Sequence, residues 1–236
     1  MTNEFDAIVV GAGPCGSFSA LTVAQLGANV AVCEEHESIG IPTHFDKYLA
    51  DLATKSGVEY RLGARVKSLI LERDSVKGVV VNREGFKETL SSKIVIDAEG
   101  VSSAILRKVG LQPLDRSMVV NAVHVELDKS NDIKEDLVEV YLGEKYAPGF
   151  FAWIIPKQDG TAKVGLATNV GNPKRCLHKF MQEHRIASPK LKKGKILKQS
   201  FHPIPLGGPI PKTYHHGLLI VGDAASQVKP TTGGGV

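Results

Sequence analysis

The residues with the plainest chemical meaning lie at the start of the chain. Gly11-Ala12-Gly13-Pro14-Cys15-Gly16 follows an apolar run at 6–10 and precedes residues 17–26, where Ala20, Leu21 and Ala24 recur at helical spacing. Glycines so placed allow a tight turn, a close approach of backbone to a pyrophosphate, and close helix–strand packing. The phosphates then sit on free N–H groups at the positive end of the helix. A second branched run at 29–33 ends in Glu34 and Glu35. An acid there accepts hydrogen bonds from a ribose diol and disfavours a 2′-phosphate, which points to FAD or NAD rather than NADP.

Two later segments extend this site. Ile94-Val95-Ile96-Asp97-Ala98-Glu99-Gly100 takes an apolar strand into an acidic glycine turn. Leu218-Leu219-Ile220-Val221-Gly222-Asp223-Ala224-Ala225 delivers another acid onto small residues, followed by Lys229-Pro230-Thr231-Thr232-Gly233-Gly234-Gly235. Such a glycine run brings backbone N–H groups close to a ring or a phosphate.

The wording of the last segment, with Pro148-Gly149-Phe150-Phe151-Ala152-Trp153-Ile154-Ile155-Pro156-Lys157, resembles the FAD-dependent geranylgeranyl reductases, in the wider group that includes para-hydroxybenzoate hydroxylase. The resemblance implies an α/β fold: a Rossmann-like FAD-binding domain with a βαβ start, plus a second, mainly antiparallel substrate domain. It implies FAD as cofactor, with Glu34 on the adenosine ribose, Asp223 on the ribityl or pyrophosphate part, and Gly233 to Gly235 beside the isoalloxazine. The expected cofactor set is Gly11, Gly13, Pro14, Cys15, Gly16, Glu34, Glu35, Glu99, Gly100, Gly222, Asp223, Pro230, Gly233, Gly234, Gly235 and Val236. Phe151, Trp153 and Pro156 are the expected substrate residues, lining a groove for a polyprenyl lipid. The implied reaction is saturation of isoprenoid double bonds. There is no second glycine-rich βαβ unit, so the electron donor docks transiently, as NADPH or a ferredoxin-like protein.

Two other readings share the flavin segments: an aromatic hydroxylase, and a shortened flavin-binding remnant without catalysis. Three departures from the family stand out, and the first and the third suggest the remnant. Pro42-Thr43-His44 runs straight into the helix at Phe45, where relatives carry a further segment with a cysteine-glycine loop. Glu99 stands where the wider group often has Asp. The sequence stops at Val236, where relatives continue.

The elements that must position these residues follow from pattern. Strands are expected at 6–10, 29–33, 65–72, 76–82, 86–90, 93–97 and 218–221, with helices at 17–26 and 45–55. Residues 1–112 and 212–236 form the first domain. Strands at 119–127, 137–142, 150–155 and 162–168, and a helix at 173–184, form the second, 113–211. Residues 188–198 read as a lysine-rich connector.

The chain has 236 residues, 42% hydrophobic and 23% charged, with a formal net charge of +4. That is globular composition, too mildly basic to imply nucleic acid. Cys15, Cys33 and Cys176 have neither metal spacing nor a disulfide pattern and suit a reducing compartment. A cytoplasmic location is expected; Lys190, Lys192, Lys193, Lys195 and Lys198 read first as a solvated connector, with peripheral contact to anionic headgroups at the inner membrane face as the alternative.

Overall fold

The computed structural model describes residues 3–39, 44–102, 104–128 and 133–234. The chain divides into two compact units: Met1–Asp115 with Pro205–Val236, and Arg116–Ile204.

The first unit is built on β1 (Glu4–Val10), α1 (Pro14–Gln25), β2 (Val30–Cys33), α2 (His44–Lys55), β3 (Glu59–Arg61), β4 (Ala64–Glu72), β5 (Ser75–Arg83) and β6 (Phe86–Asp97). Its strand order, completed by β12 (Tyr214–His215) and β13 (Leu218–Ile220), is β12-β13-β6-β1-β2-β3, with β5 joining β6 and β4 joining β5. β1 and β2 are apolar on both faces because both are covered. Ala7, Val9, Val30 and Val32 pack with Ala20 and Leu21 of α1 and Ala53 of α2, the pattern of a parallel strand buried on two sides.

Two expectations change here. The strands expected at 86–90 and 93–97 are one twelve-residue strand, β6. Its first part pairs antiparallel with β5, from Arg83↔Phe86 to Gly78↔Ser91. Its second part runs parallel to β1, ending at Val10↔Asp97. The polar Ser91 and Ser92 look like a break only while the change of neighbour is unseen. β3, Glu-Tyr-Arg, has no apolar pattern, and its stability is tertiary. It pairs with β2, and the buried Arg61 guanidinium bonds Glu59 at 2.8 Å and Glu88 at 2.6 Å beneath the Phe5 ring. A buried charge persists only when so paired.

The second unit is a five-stranded sheet, β11-β7-β10-β9-β8, of β7 (Val119–Asp128), β8 (Glu139–Leu142), β9 (Phe151–Pro156), β10 (Thr161–Thr168) and β11 (Ile196–Pro205). α3 (Pro173–Glu183) and α4 (Ala187–Leu191) cover one face. Val123, Val125, Ile154, Val164 and Leu166 pack against Leu177, Phe180, Met181 and Leu191. α3 starts where it should: Pro173 follows the N-cap Asn172, whose side chain accepts the Arg175 N–H. The lysine-rich stretch is not one connector. It contains α4 and the start of β11, and Lys190 is tied to both carboxylate oxygens of Glu139, at 2.7 and 2.8 Å.

Candidate functional site

Four strand ends of the first unit stand side by side. Val10 is level with Cys33 of β2 and with Asp97 of β6, and Ile220 of β13 is level with Asp97. β1 is flanked by strands reached in opposite directions, so this is the topological switch point where a crevice opens beyond the carboxyl ends. The glycine loop closes over it. A β-carbon on Gly16 would lie 2.0 Å from the Gly11 carbonyl oxygen, and one on Gly11 would lie 2.5 Å from the Ala98 carbonyl oxygen. Gly13 has nothing within 4 Å of such an atom. It is the N-cap of α1, followed by Pro14, and no side chain caps that helix end.

The acids differ in what already holds them. Glu34 Oε2 accepts the Ala12 N–H at 2.8 Å, and Oε1 accepts the His36 N–H at 3.0 Å and faces its ring. Glu35 lies outside this arrangement, exposed and 3.3 Å from Arg65. Glu99 Oε1 accepts the Ile105 N–H at 2.7 Å, which ties down the Gly100 turn. Asp97 is fully buried. Its Oδ1 accepts the Glu99 N–H at 3.0 Å, while Oδ2 has no partner among the described residues. Burial, with the Glu99 charge beside it, pushes this carboxyl up to about 8 against the pull of the Glu99 N–H.

The third segment closes the crevice from β13. Gly222 has φ +64°, and a β-carbon there would meet Cys15 Sγ at 2.7 Å. Burial and the Asp223 charge raise the Cys15 thiol, and burial pushes Cys33 up to about 12; neither is a thiolate nucleophile at neutral pH. The residues after Pro230, which is exposed, turn back on themselves. The Gly233 N–H donates to the Lys229 carbonyl at 2.8 Å, and the Gly234 N–H to Thr232 Oγ1 at 3.3 Å. Those two donors are therefore taken by the turn. Gly235 and Val236 lie outside the described residues.

In the second unit, the face of the sheet opposite its helices carries an aromatic row. Phe150 stacks on Phe151 at 4.2 Å, and Phe151 meets Trp153 edge-on at 5.9 Å. Register places Val140, Trp153, Gly165 and His124 in one line across β8, β9, β10 and β7. His124 stacks on His202 of β11 at 5.8 Å. The indole lies over Gly165, where a β-carbon would come within 2.5 Å of Trp153 Cζ2. Pro156 ends β9 on the same strand.

Residues 40–236 match the family described as FAD binding domain. The digeranylgeranylglycerophospholipid reductase of Methanosarcina acetivorans is 30% identical over an alignment of 301 residues that takes in 100% of this chain and 72% of the relative. The chain belongs to this family of FAD-binding oxidoreductases. The alignment is longer than the 236-residue chain, so the relative carries residues without a counterpart here. A geranylgeranyl bacteriochlorophyll reductase-like protein of Thermoplasma acidophilum has the same fold, with a TM-score of 0.90 and 25% identity over 98% of this chain and 74% of that one. The flavin-dependent brominase Bmp2 shares the fold alone, at a TM-score of 0.78 and 18% identity over 96% of this chain and 73% of that one.

The FAD-binding crevice fits its cofactor on its own geometry. Gly11 and Gly16 exclude any side chain where loop and strands touch, Gly13 leaves the approach open, and the uncapped start of α1 offers N–H groups for a pyrophosphate. Glu34 stands at the end of β2, where the ribose belongs. The sequence does not point to Ala12 and His36, which hold the Glu34 carboxylate, since both donate backbone N–H groups to it. Asp97 is not among the residues the sequence assigns to the cofactor. Its signal was an acid ending an unbroken Ile-Val-Ile strand. Gly165 also had a signal, a glycine inside a strand, which marks a close approach.

Proposed function

We propose that this FAD-binding chain reduces carbon–carbon double bonds in the isoprenoid chains of a polyprenyl lipid. The observation that carries the reading is the row Phe151–Trp153–Gly165. A glycine leaves room for the indole over the sheet, and with its neighbours Val140 and Leu142 it makes an apolar, aromatic surface without a hydrogen-bond code. Such a surface suits a hydrocarbon better than an aromatic acid, which would need fixed polar partners. The names of the curated relatives agree with it.

The residues divide the work. Gly11, Gly13, Gly16 and Glu34 hold the dinucleotide. Phe151 and Trp153 orient an extended chain, and their rings exclude water around it. An isolated alkene is a poor hydride acceptor, so orientation and exclusion are the protein's main contribution. The chemistry that bound FAD supplies is the hydride for one alkene carbon. Electrons come from a transient donor, NADPH or a ferredoxin-like protein, and lipid access is through peripheral contact with a membrane. No helix among the described residues is long and apolar enough to cross one.

The test is incubation of the chemically reduced, FAD-loaded protein with a geranylgeranyl lipid under anaerobic conditions. Mass spectra should show two added hydrogens per double bond. No mass gain, with oxygen consumption stimulated by an aromatic substrate instead, would overturn the reading in favour of a hydroxylase.

A further inference from the structure

Glu34 is held on both carboxylate oxygens. Oε2 accepts the Ala12 N–H at 2.8 Å, which ties the end of β2 to the glycine loop. Oε1 accepts the His36 N–H at 3.0 Å and is also bonded to Nδ1 of the same histidine. An ionised carboxylate has no proton to give, so the ring donates. The frame that presents the ring is backbone. The Glu34 N–H donates to the Arg61 carbonyl at 3.0 Å, the Ala64 N–H to the Glu34 carbonyl at 2.8 Å, and the Gly63 N–H to the His36 carbonyl at 3.1 Å. The side chain of Glu34 is 12% exposed and that of His36 is 73% exposed. With so much of the ring in solvent, the carboxylate rather than packing is what turns it back on residue 34.

We infer that His36 is a positioning residue for the dinucleotide: its ring fixes the Glu34 carboxylate so that one free acceptor position, on Oε2, is left for a hydroxyl of the adenosine ribose. Two carboxylate oxygens offer about four acceptor positions. Among the described residues three are filled, one on Oε2 and two on Oε1. The one that is left belongs to the oxygen beside the glycine loop. A glutamate held at that oxygen alone could still turn about its own bonds. The ring and the N–H of the same residue make a two-point, charge-assisted grip on the other oxygen. Because the grip closes over only two residues of chain, it costs little conformational entropy. The ribose then meets an acceptor that is already oriented and does not have to order it. The inference rests on Glu34 facing the ribose, and it is independent of what the flavin reduces.

The test is binding of FAD and of FMN to the flavin-free full chain, by calorimetry. FMN lacks the adenosine half, so it reports the fold and the rest of the site. His36→Ala should weaken FAD about tenfold, the loss of one hydrogen bond to a charged group, with FMN within about twofold of the parent. His36→Asn puts an amide N–H where Nδ1 stands and should return FAD to within about threefold of the parent. His36→Gln, whose amide reaches the Nε2 position instead, should behave like the alanine variant. In a Glu34→Ala background His36→Ala should cost nothing further, because the ring acts only through that carboxylate. Unchanged FAD affinity in His36→Ala, no rescue by His36→Asn, or a loss that persists in the Glu34→Ala background would overturn the inference. Should Glu34→Ala cost FAD and FMN alike, the ribose contact fails and the inference fails with it. Should Glu34→Ala be selective for FAD while His36→Ala is silent, the inference alone fails. Mass gain on an isoprenoid lipid tests the reductase reading separately, since none of these bindings needs turnover.

Discussion

The carbonyl oxygen of Gly11 occupies the space that a side chain on Gly16 would need, 2.0 Å from its β-carbon position. The loop and the first turn of α1 are thus in backbone contact. Gly16→Ala must push them apart and spoil the alignment of N–H groups at the helix start, with an overpacking cost of about 1–3 kcal/mol. The variant should be purified with less than a tenth of the parent's flavin, read as absorbance near 450 nm per mole of protein. Full flavin content would show that the loop does not cradle the pyrophosphate.

Glu34 should contribute to FAD but not to FMN, which lacks the adenosine half. Hydrogen bonds to a charged group are worth about 1.5–3 kcal/mol, so Glu34→Ala should weaken FAD ten- to a hundredfold by calorimetry. FMN affinity should stay within about twofold. Equal losses for both would mean that Glu34 only holds the loop through the Ala12 N–H.

Asp97 makes stability depend on pH in an unusual direction for an acid. Its ordinary value is 3.8, and in the folded chain it is pushed up to about 8. Between those values the unfolded chain has lost the proton and the folded chain keeps it. The contribution of the neutral acid is fully present below 3.8 and is lost as the pH rises through about 8. The slope is at most about 1.4 kcal/mol per pH unit. Asp97→Asn keeps an acceptor for the Glu99 N–H and has no charge to bury. It should be more stable than the parent at pH 8 and equal to it at pH 4 in urea titrations. A constant difference at both would rule out the buried neutral acid.

Gly165→Ala tests the platform in the second unit. The added methyl would lie 2.5 Å from Trp153 Cζ2 and 2.8 Å from His124 Cβ, so the indole must lift from the sheet. Trp153 emission should shift to longer wavelength, and geranylgeraniol should bind at least tenfold more weakly, about the loss of one packed aromatic contact. Unchanged emission and affinity would mean that the ring does not serve as the floor of a groove.

The family and the βαβ unit that carries the candidate nucleotide site were determined by sequence alone, because their signals are local. The spacing of Gly11, Gly13 and Gly16 after one strand, and of Glu34 after the next, encodes a turn, a helix start and an acid at the end of the second strand within one βαβ unit. The aromatic segment Phe151–Trp153 was legible for the same reason. Other features came only from tertiary structure. β6 is continuous because its neighbour changes from β5 to β1 at Ser91, and a strand's partners are not written in its own pattern. β3 exists because it pairs with β2 and because Arg61, bonded to Glu59 on its own strand, also finds Glu88 of β6. The two ends of the row that meet at Gly165 lie far apart in the chain. His124 and Trp153 become neighbours only through the register of β7, β10 and β9, and His202 joins them only when β11 returns to pair beside β7. The electrostatics of Asp97 and His124 belong to the same class. Burial and converging charge are properties of the folded chain, and they set the chemistry of residues whose names alone would leave it open.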